Sequence, residues 1–128
     1  MILGIGVDMV SIDRMRKWCL QDGILKRFFH PDELEACWRN NAYQPESLAA
    51  RFAAKEALGK ALGCGMRELV LSDIEIRSDD FGAPHLHMHG RARAMAEQRE
   101  IKSVHVSLGH EGDYSVAMVV LEGSINES

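Results

Sequence analysis

Cysteine, proline and aromatic residues are scarce in this 128-residue chain, which has three cysteines, three prolines and aromatics at 6%. Cys19, Cys37 and Cys64 are odd in number and widely spaced, which argues against a disulfide framework and against a CxxC zinc or redox pair. They are expected to be reduced, buried small side chains. No apolar run is long enough to span a bilayer, so no membrane role is expected. Positive charge is not in excess: 15 Lys and Arg face 19 Asp and Glu, for a formal net charge of −4. Nucleic acid is therefore not an expected partner, because neutralising phosphates takes clustered positive charge. Met1 leads directly into Ile2-Leu3-Gly4-Ile5 with no basic region and no small-residue cleavage site, so no secretory signal is expected and the cytoplasm is the expected location. Internal repeats, linkers and low-complexity tracts are also missing. What remains, 46% hydrophobic and 27% charged residues, is the composition of an ordinary globular protein, and the length predicts a single domain over 1–128.

The first β-branched run, with Gly4 and Gly6 where another group can approach the backbone closely, predicts a strand ending near Asp8. Ser11 is a candidate cap for a basic amphipathic helix over 12–20, which Asp22-Gly23 is expected to stop. Residues 24–29 continue in helical style, Pro31 opens a further helix through Trp38, and 40–45 reads as loop. The strongest helix is 47–62, rich in Ala and Leu, with Gly63 as its left-handed terminator. Two strands over 70–77 and 84–88 flank a hairpin connection at Asp79-Asp80-Phe81-Gly82. A helix over 90–100 and strands over 104–108 and 114–121 close the chain. The order lacks regular βαβ alternation, so the predicted class is α+β, with a largely antiparallel sheet packed against a long helix.

Two phosphate-binding patterns fail. Gly4-Ile5-Gly6 lacks the third glycine of a dinucleotide fingerprint, and Gly59-Lys60 lacks the flanking residues of a P-loop. The long helix is more informative: Glu56, Gly59, Lys60 and Gly63 fall at i, i+3, i+4 and i+7 on one polar face. Gly59 inside a helix costs about 1 kcal/mol relative to Ala, which predicts something large against that side. A solvated Glu56–Lys60 pair with a glycine kept for helix packing explains the same pattern. If the first strand abuts this helix, Asp8 joins Glu56 and Lys60 in a site for a hard cation, with the lysine on the same phosphates. Otherwise Asp8 only ends a strand. His85, His87 and His89 alternate on a predicted strand, as metal ligands or as a plain polar face. His30 reads as a helix-start residue. His105, Ser107 and His110 lie at a strand end where an imidazole and a hydroxyl suit an anion. A Ser–His nucleophile is poorly supported, since no third partner or oxyanion hole accompanies it.

Three blocks carry a resemblance: Gly4-Ile5-Gly6-Val7-Asp8, the run from Arg51-Phe52-Ala53-Ala54-Lys55-Glu56 through Gly59-Lys60-Ala61-Leu62-Gly63, and His105-Val106-Ser107-Leu108-Gly109-His110. With Asp73-Ile74-Glu75-Ile76 and Gly82-Ala83-Pro84, they extend over nearly the whole chain. Together they resemble the short type of the 4′-phosphopantetheinyl transferase superfamily, the holo-[acyl-carrier-protein] synthases. The resemblance implies that fold, and transfer of the 4′-phosphopantetheine arm from coenzyme A to a serine of acyl carrier protein, releasing adenosine 3′,5′-bisphosphate. It implies Mg²⁺ as cofactor, with Asp8 and Glu56 as metal ligands and Lys60 near the pyrophosphate. Glu56 and Lys60 are the catalytic candidates; Lys60, Gly63, His105, Ser107 and His110 are those for coenzyme A. Gly109 stands where the family pattern usually has a serine, so this chain lacks that hydroxyl.

The chemistry agrees, because phosphoryl transfer asks mainly for positioning and charge neutralisation. The base for the carrier serine is Glu56 or a water held by the ion, and the water ranks first, since a full metal ligand is a poor base. Arg14, Arg16 and Lys17, with Lys26 and Arg27, are the candidates for steering an acidic carrier protein, against the alternative of a solvated basic face. The resemblance further implies a homotrimer, with Asp8, Glu56 and Lys60 from one protomer and His105, Ser107 and His110 from its neighbour. The alternative function is a noncatalytic coenzyme A or nucleotide-binding module.

Overall fold

A computed structural model describes residues 1–65 and 67–125, without the side chain of Asp22. Strand β1 (Ile2–Ser11) leads into α1 (Ile12–Trp18), α2 (Asp22–Phe28) and α3 (Pro31–Ala36). A short hairpin, β2 (Trp38–Arg39) with β3 (Ala42–Tyr43), precedes the long helix α4 (Pro45–Leu62). A 3₁₀ turn (Leu71–Asp73), strands β4 (Ile74–Ser78) and β5 (Pro84–Met88), and α5 (Gly90–Gln98) follow. Strands β6 (Ile101–Glu111) and β7 (Tyr114–Gly123) end the described chain. The largest sheet is antiparallel in the order β1-β7-β6, and β4–β5 is a separate antiparallel hairpin. The expected α+β class holds.

Helix α4 is the axis of the core. Pro45 opens it, its interior is rich in alanine, and Gly63 ends it at φ 77°. Leu48, Ala49, Phe52, Ala53, Leu58 and Leu62 are buried in one cluster with Val10, Ile74, Ile76, Ala117, Val119 and Leu121. The helix is thus enclosed on most sides. Beyond Arg51, only Glu56, Lys60 and Gly63 keep an open stripe.

The glycines of β1 explain how the strand and helix come together. A Cβ on Gly6 would lie 1.9 Å from the Ala57 carbonyl oxygen, and one on Gly4 would lie 2.1 Å from that of Ala61. Small residues on both elements let the backbones touch, which brings Asp8 to the middle of α4. The strand runs past Asp8 to Ser11, so Asp8 is an interior strand residue and not its end. Ser11 then caps α1 by accepting from the Arg14 amide at 3.4 Å.

Several expectations need correction. Asp22-Gly23 does not stop a helix; it opens α2. Trp38 belongs to β2, and 40–45 is not plain loop: Asn40 and Asn41 take φ 54° and 61° and make the tight turn of a hairpin. The strand expected over 70–77 begins at Ile74, after the 3₁₀ turn. His110 and Glu111 remain in β6 and do not form a loop. The group against Gly59 is no ligand but the chain itself, since a Cβ there would lie 2.7 Å from the Gly65 carbonyl oxygen.

Candidate active site

Asp8, Glu56 and Lys60 meet where β1 crosses α4. Lys60 Nζ donates to Asp8 Oδ1 at 2.8 Å and to the Val7 carbonyl at 3.1 Å. Asp8 Oδ2 is buried with no hydrogen-bond partner among the described residues. The Glu56 carboxyl lies against it, and burial, followed by the contact with Asp8, pushes the Glu56 pKa up to about 7. Two carboxylates are both acceptors, so a shared proton or a cation must sit between them. Arg14 Nη2 approaches Glu56 Oε1 to 3.7 Å and, with Lys60, pulls the Glu56 pKa part of the way back. The Asp8 contact raises the Lys60 pKa, so its ammonium stays charged.

An apolar crevice of ≈ 520 Å³ opens beside Glu56, lined by Arg27, Phe28, Phe52, Leu69, Val70 and Leu71. Trp18 stacks on Phe28 at 5.3 Å and meets Phe52 edge-on at 5.0 Å, which fixes α1 and α2 against α4 at this spot. Phe28, Phe52 and the 69–71 segment escape sequence reasoning because ordinary core residues look the same. A larger hollow of ≈ 800 Å³, around Phe29, His30, Leu34, Trp38 and Tyr43, touches none of Asp8, Glu56 and Lys60.

The other expected residues divide. Arg14 lies over the Trp18 and Phe52 rings, 4.9 and 5.3 Å from their centroids, and Arg27 borders the crevice. Arg16 pairs with Asp13 and reaches Glu46 at 4.0 Å, while Lys26 lines the larger hollow. Of these basic residues, Arg14 and Arg27 therefore lie beside Glu56 and the crevice. Gly63 is exposed at the end of α4, and its conformation is explained by helix termination. On β6, His105 and Ser107 fall on the sheet face opposite to Asp8, where His105 meets Glu122 at 3.0 Å. The period-2 alternation puts His110 on the other face, in the row Val10–Ser115–His110 beside the row Asp8–Ala117–Leu108. Within one chain, then, the first three residues converge and the three from β6 do not join them. His85 turns to Asp79 at 2.8 Å and His89 to Glu75 at 2.9 Å, so His85, His87 and His89 do not gather.

Comparison with known proteins gives this arrangement a family. The description of the 4′-phosphopantetheinyl transferase superfamily matches residues 4–119. The holo-[acyl-carrier-protein] synthase of Treponema denticola is 42% identical over 123 residues, covering 96% of this chain and 100% of that protein. The chain belongs to the holo-[acyl-carrier-protein] synthases of that superfamily. Among solved structures, the synthase from Neisseria meningitidis superposes with a TM-score of 0.85 at 35% identity, covering 95% of this chain and 99% of that one. The Helicobacter pylori synthase in complex with coenzyme A gives 0.77 at 33% identity, covering 92% and 99%. No helix among the described residues is long and apolar enough to cross a membrane. Against this family background, the matched span contains every member of the Asp8–Glu56–Lys60 cluster.

Proposed function

We propose that the chain performs its family's reaction where Asp8, Glu56 and Lys60 meet. The 4′-phosphopantetheine arm of coenzyme A passes to a serine of apo acyl carrier protein, and adenosine 3′,5′-bisphosphate leaves. The observation that carries this reading is the pair of facing carboxyls, one with a buried oxygen that no donor among the described residues satisfies. Such a pair fits Mg²⁺, which takes one or two protein carboxylates and fills its other positions with water and phosphate oxygens. When bound, the ion supplies charge neutralisation at the diphosphate.

The chain's own residues supply the rest. Two of the three Lys60 ammonium hydrogens are spent on Asp8 and Val7, which leaves one for a phosphate oxygen. Glu56 carries its proton near neutral pH and gives it up when a cation enters between the carboxyls. In the transfer, the carrier serine Oγ bonds to the phosphorus that bears the arm, and the bond from that phosphorus to the bridging oxygen breaks. A water in the cleft takes the serine proton, because Glu56 is engaged as a ligand. The apolar crevice beside Glu56 suits the uncharged arm. Arg14 and Arg27 flank the opening and orient an acidic carrier.

The working unit on this reading is a homotrimer. The sheet face away from α4 carries Ile5, Val7, Met9, Val116 and Met118, with Ile5 and Met9 each about 60% exposed. An apolar face of this extent needs a cover. His105 and Ser107 stand on that same face, which a neighbouring copy covers on this reading. The proposed location is the cytoplasm, where Cys19, Cys37 and Cys64 remain free thiols.

The test is a mass measurement on apo acyl carrier protein incubated with this protein, coenzyme A and Mg²⁺. The expected result is a gain equal to the phosphopantetheine arm, abolished by a chelator. Coenzyme A binding without any gain would favour the noncatalytic module.

A further inference from the structure

His30, Glu75 and His89 come from three distant parts of the chain, yet one ligand atom of each lies within 4.8 Å of the others. His30 starts α3, Glu75 is in β4 and His89 starts α5. The two imidazoles stack at 5.0 Å with 28° between their planes. Both face one carboxylate oxygen: His89 Nε2 is 2.9 Å from Glu75 Oε1, and His30 Nδ1 is 4.0 Å from it. We propose that His30, Glu75 and His89 form a site for a divalent cation of the zinc class, which pins the starts of α3 and α5 to β4.

The donor set selects the metal. Two imidazoles and a carboxylate suit Zn²⁺ and its borderline neighbours, whereas Mg²⁺ demands oxygen, so this site and the Asp8–Glu56 pair take different ions. His30 Nδ1 already serves as an acceptor, so a nitrogen lone pair is available. A carboxylate only accepts, so His89 Nε2 carries the hydrogen that bonds Glu75. A cation on that line takes the place of this hydrogen, which shifts through water to His89 Nδ1, so the ring binds as a neutral imidazole. His30 Nδ1 now accepts from the Asp32 amide at 3.1 Å, and that contact is exposed, so water can take over the amide when His30 turns to the ion.

Charge and access agree with the assignment. Glu75 is anionic and 3% exposed, and Asp32 Oδ2 lies 3.8 Å from His30 Nδ1. Arg77 bonds Glu75 directly, through Nε to Oε2 at 2.8 Å and Nη2 to Oε1 at 3.0 Å, and the buried Lys55 ammonium adds a longer-range attraction. His30 also borders the ≈ 800 Å³ hollow, which gives an ion a path in. His87 lies across the β4–β5 ladder from Glu75 and is outside the group of three.

The test titrates untagged protein with Co²⁺ in excess Mg²⁺, reading visible d–d absorption and competition by Zn²⁺. The expected result is one imidazole-ligated Co²⁺ per chain, displaced by Zn²⁺, with a melting temperature that rises with Zn²⁺ concentration. His89→Gln, and His30→Asn, which keeps a capping side chain, should each weaken binding at least about tenfold, whereas His85→Ala leaves it unchanged. No saturable Co²⁺ spectrum from the unaltered protein would overturn the proposal. So would undiminished binding in both His30→Asn and His89→Gln.

Discussion

Lys55 and Glu56 follow one another on α4, and the fold treats them in opposite ways. Lys55 is fully buried, and its three ammonium hydrogens are shared among the carbonyls of Phe28, Leu71 and Ile74 and Glu33 Oε1, at 2.5 to 2.9 Å. Glu33 in turn accepts from the amides of His30 and Ile76. Every polar atom there has a partner, and the cluster ties α2, α3, α4 and β4 together. One residue later, Glu56 faces a second carboxylate whose buried oxygen has no donor among the described residues. The difference separates two uses of buried charge: the Lys55 cluster is complete and holds the fold, while the Glu56 cluster is incomplete and awaits a ligand.

The comparison can be broken from either side. The largest effect is expected at Lys55→Met, which takes the close ammonium away from buried Glu33, leaving Arg51 at 3.9 Å as its ion partner, and should destabilise the fold by about 3–5 kcal/mol. Urea unfolding measures this. Adding Glu33→Gln should recover part of the loss. Glu56→Gln should do the reverse, lowering kcat/KM by about 100-fold or more while the protein stays folded. Steady-state kinetics beside a melting curve check both halves.

The pH dependence sharpens the contrast. Because the folded Glu56 pKa lies near 7, above the ordinary 4.5, the folded state holds this proton more tightly than the unfolded chain. Its contribution to stability is therefore full below 4.5 and is lost as pH rises through about 7. Metal-free protein should lose melting temperature across that window, and Glu56→Gln should flatten the loss. Glu75 behaves oppositely: its pairing with Arg77 first, and then His89, holds its pKa at about 2, so its stabilising share is present above 4.5 and disappears toward pH 2.

Gly6→Ala tests the geometry that unites the cluster. The added methyl would strike the Ala57 carbonyl, so β1 must lift from α4, at a cost of about 1–3 kcal/mol, and carry Asp8 away from Glu56. Activity should fall more than stability, as kinetics and denaturation together would show. The smallest effect is expected at Arg14→Glu, which should raise KM for the carrier protein several-fold and that for coenzyme A less, by analogy with rim charges elsewhere.

Much of this arrangement was legible in the residues. The β-branched runs, the Ala-rich helix with its closing glycine and the Asp79–Gly82 turn mark their elements because each repeats a local preference over several residues. The β2–β3 hairpin escapes because two-residue strands have no period to detect. At the site, the spacing of Glu56 and Lys60 and the glycines of β1 point to a meeting with Asp8. The role of Lys55 does not show, since a buried lysine and a solvated one look alike until the surrounding carbonyls are placed. His85, His87 and His89 attract notice as a group, yet only His89, just past β5, meets His30 and Glu75, because those two are brought in from the start of α3 and from β4.

The central claim is that burial, and then the contact with Asp8, lets Glu56 hold its proton up to about pH 7 until a cation takes the proton's place. Carbon-13 NMR of the Glu56 carboxyl across a pH titration, with and without Mg²⁺, tests it most directly. The account predicts a midpoint near 7 without the ion and one displaced well below it with the ion. A midpoint at the ordinary glutamate value without Mg²⁺, or a raised one that Mg²⁺ leaves in place, would contradict it.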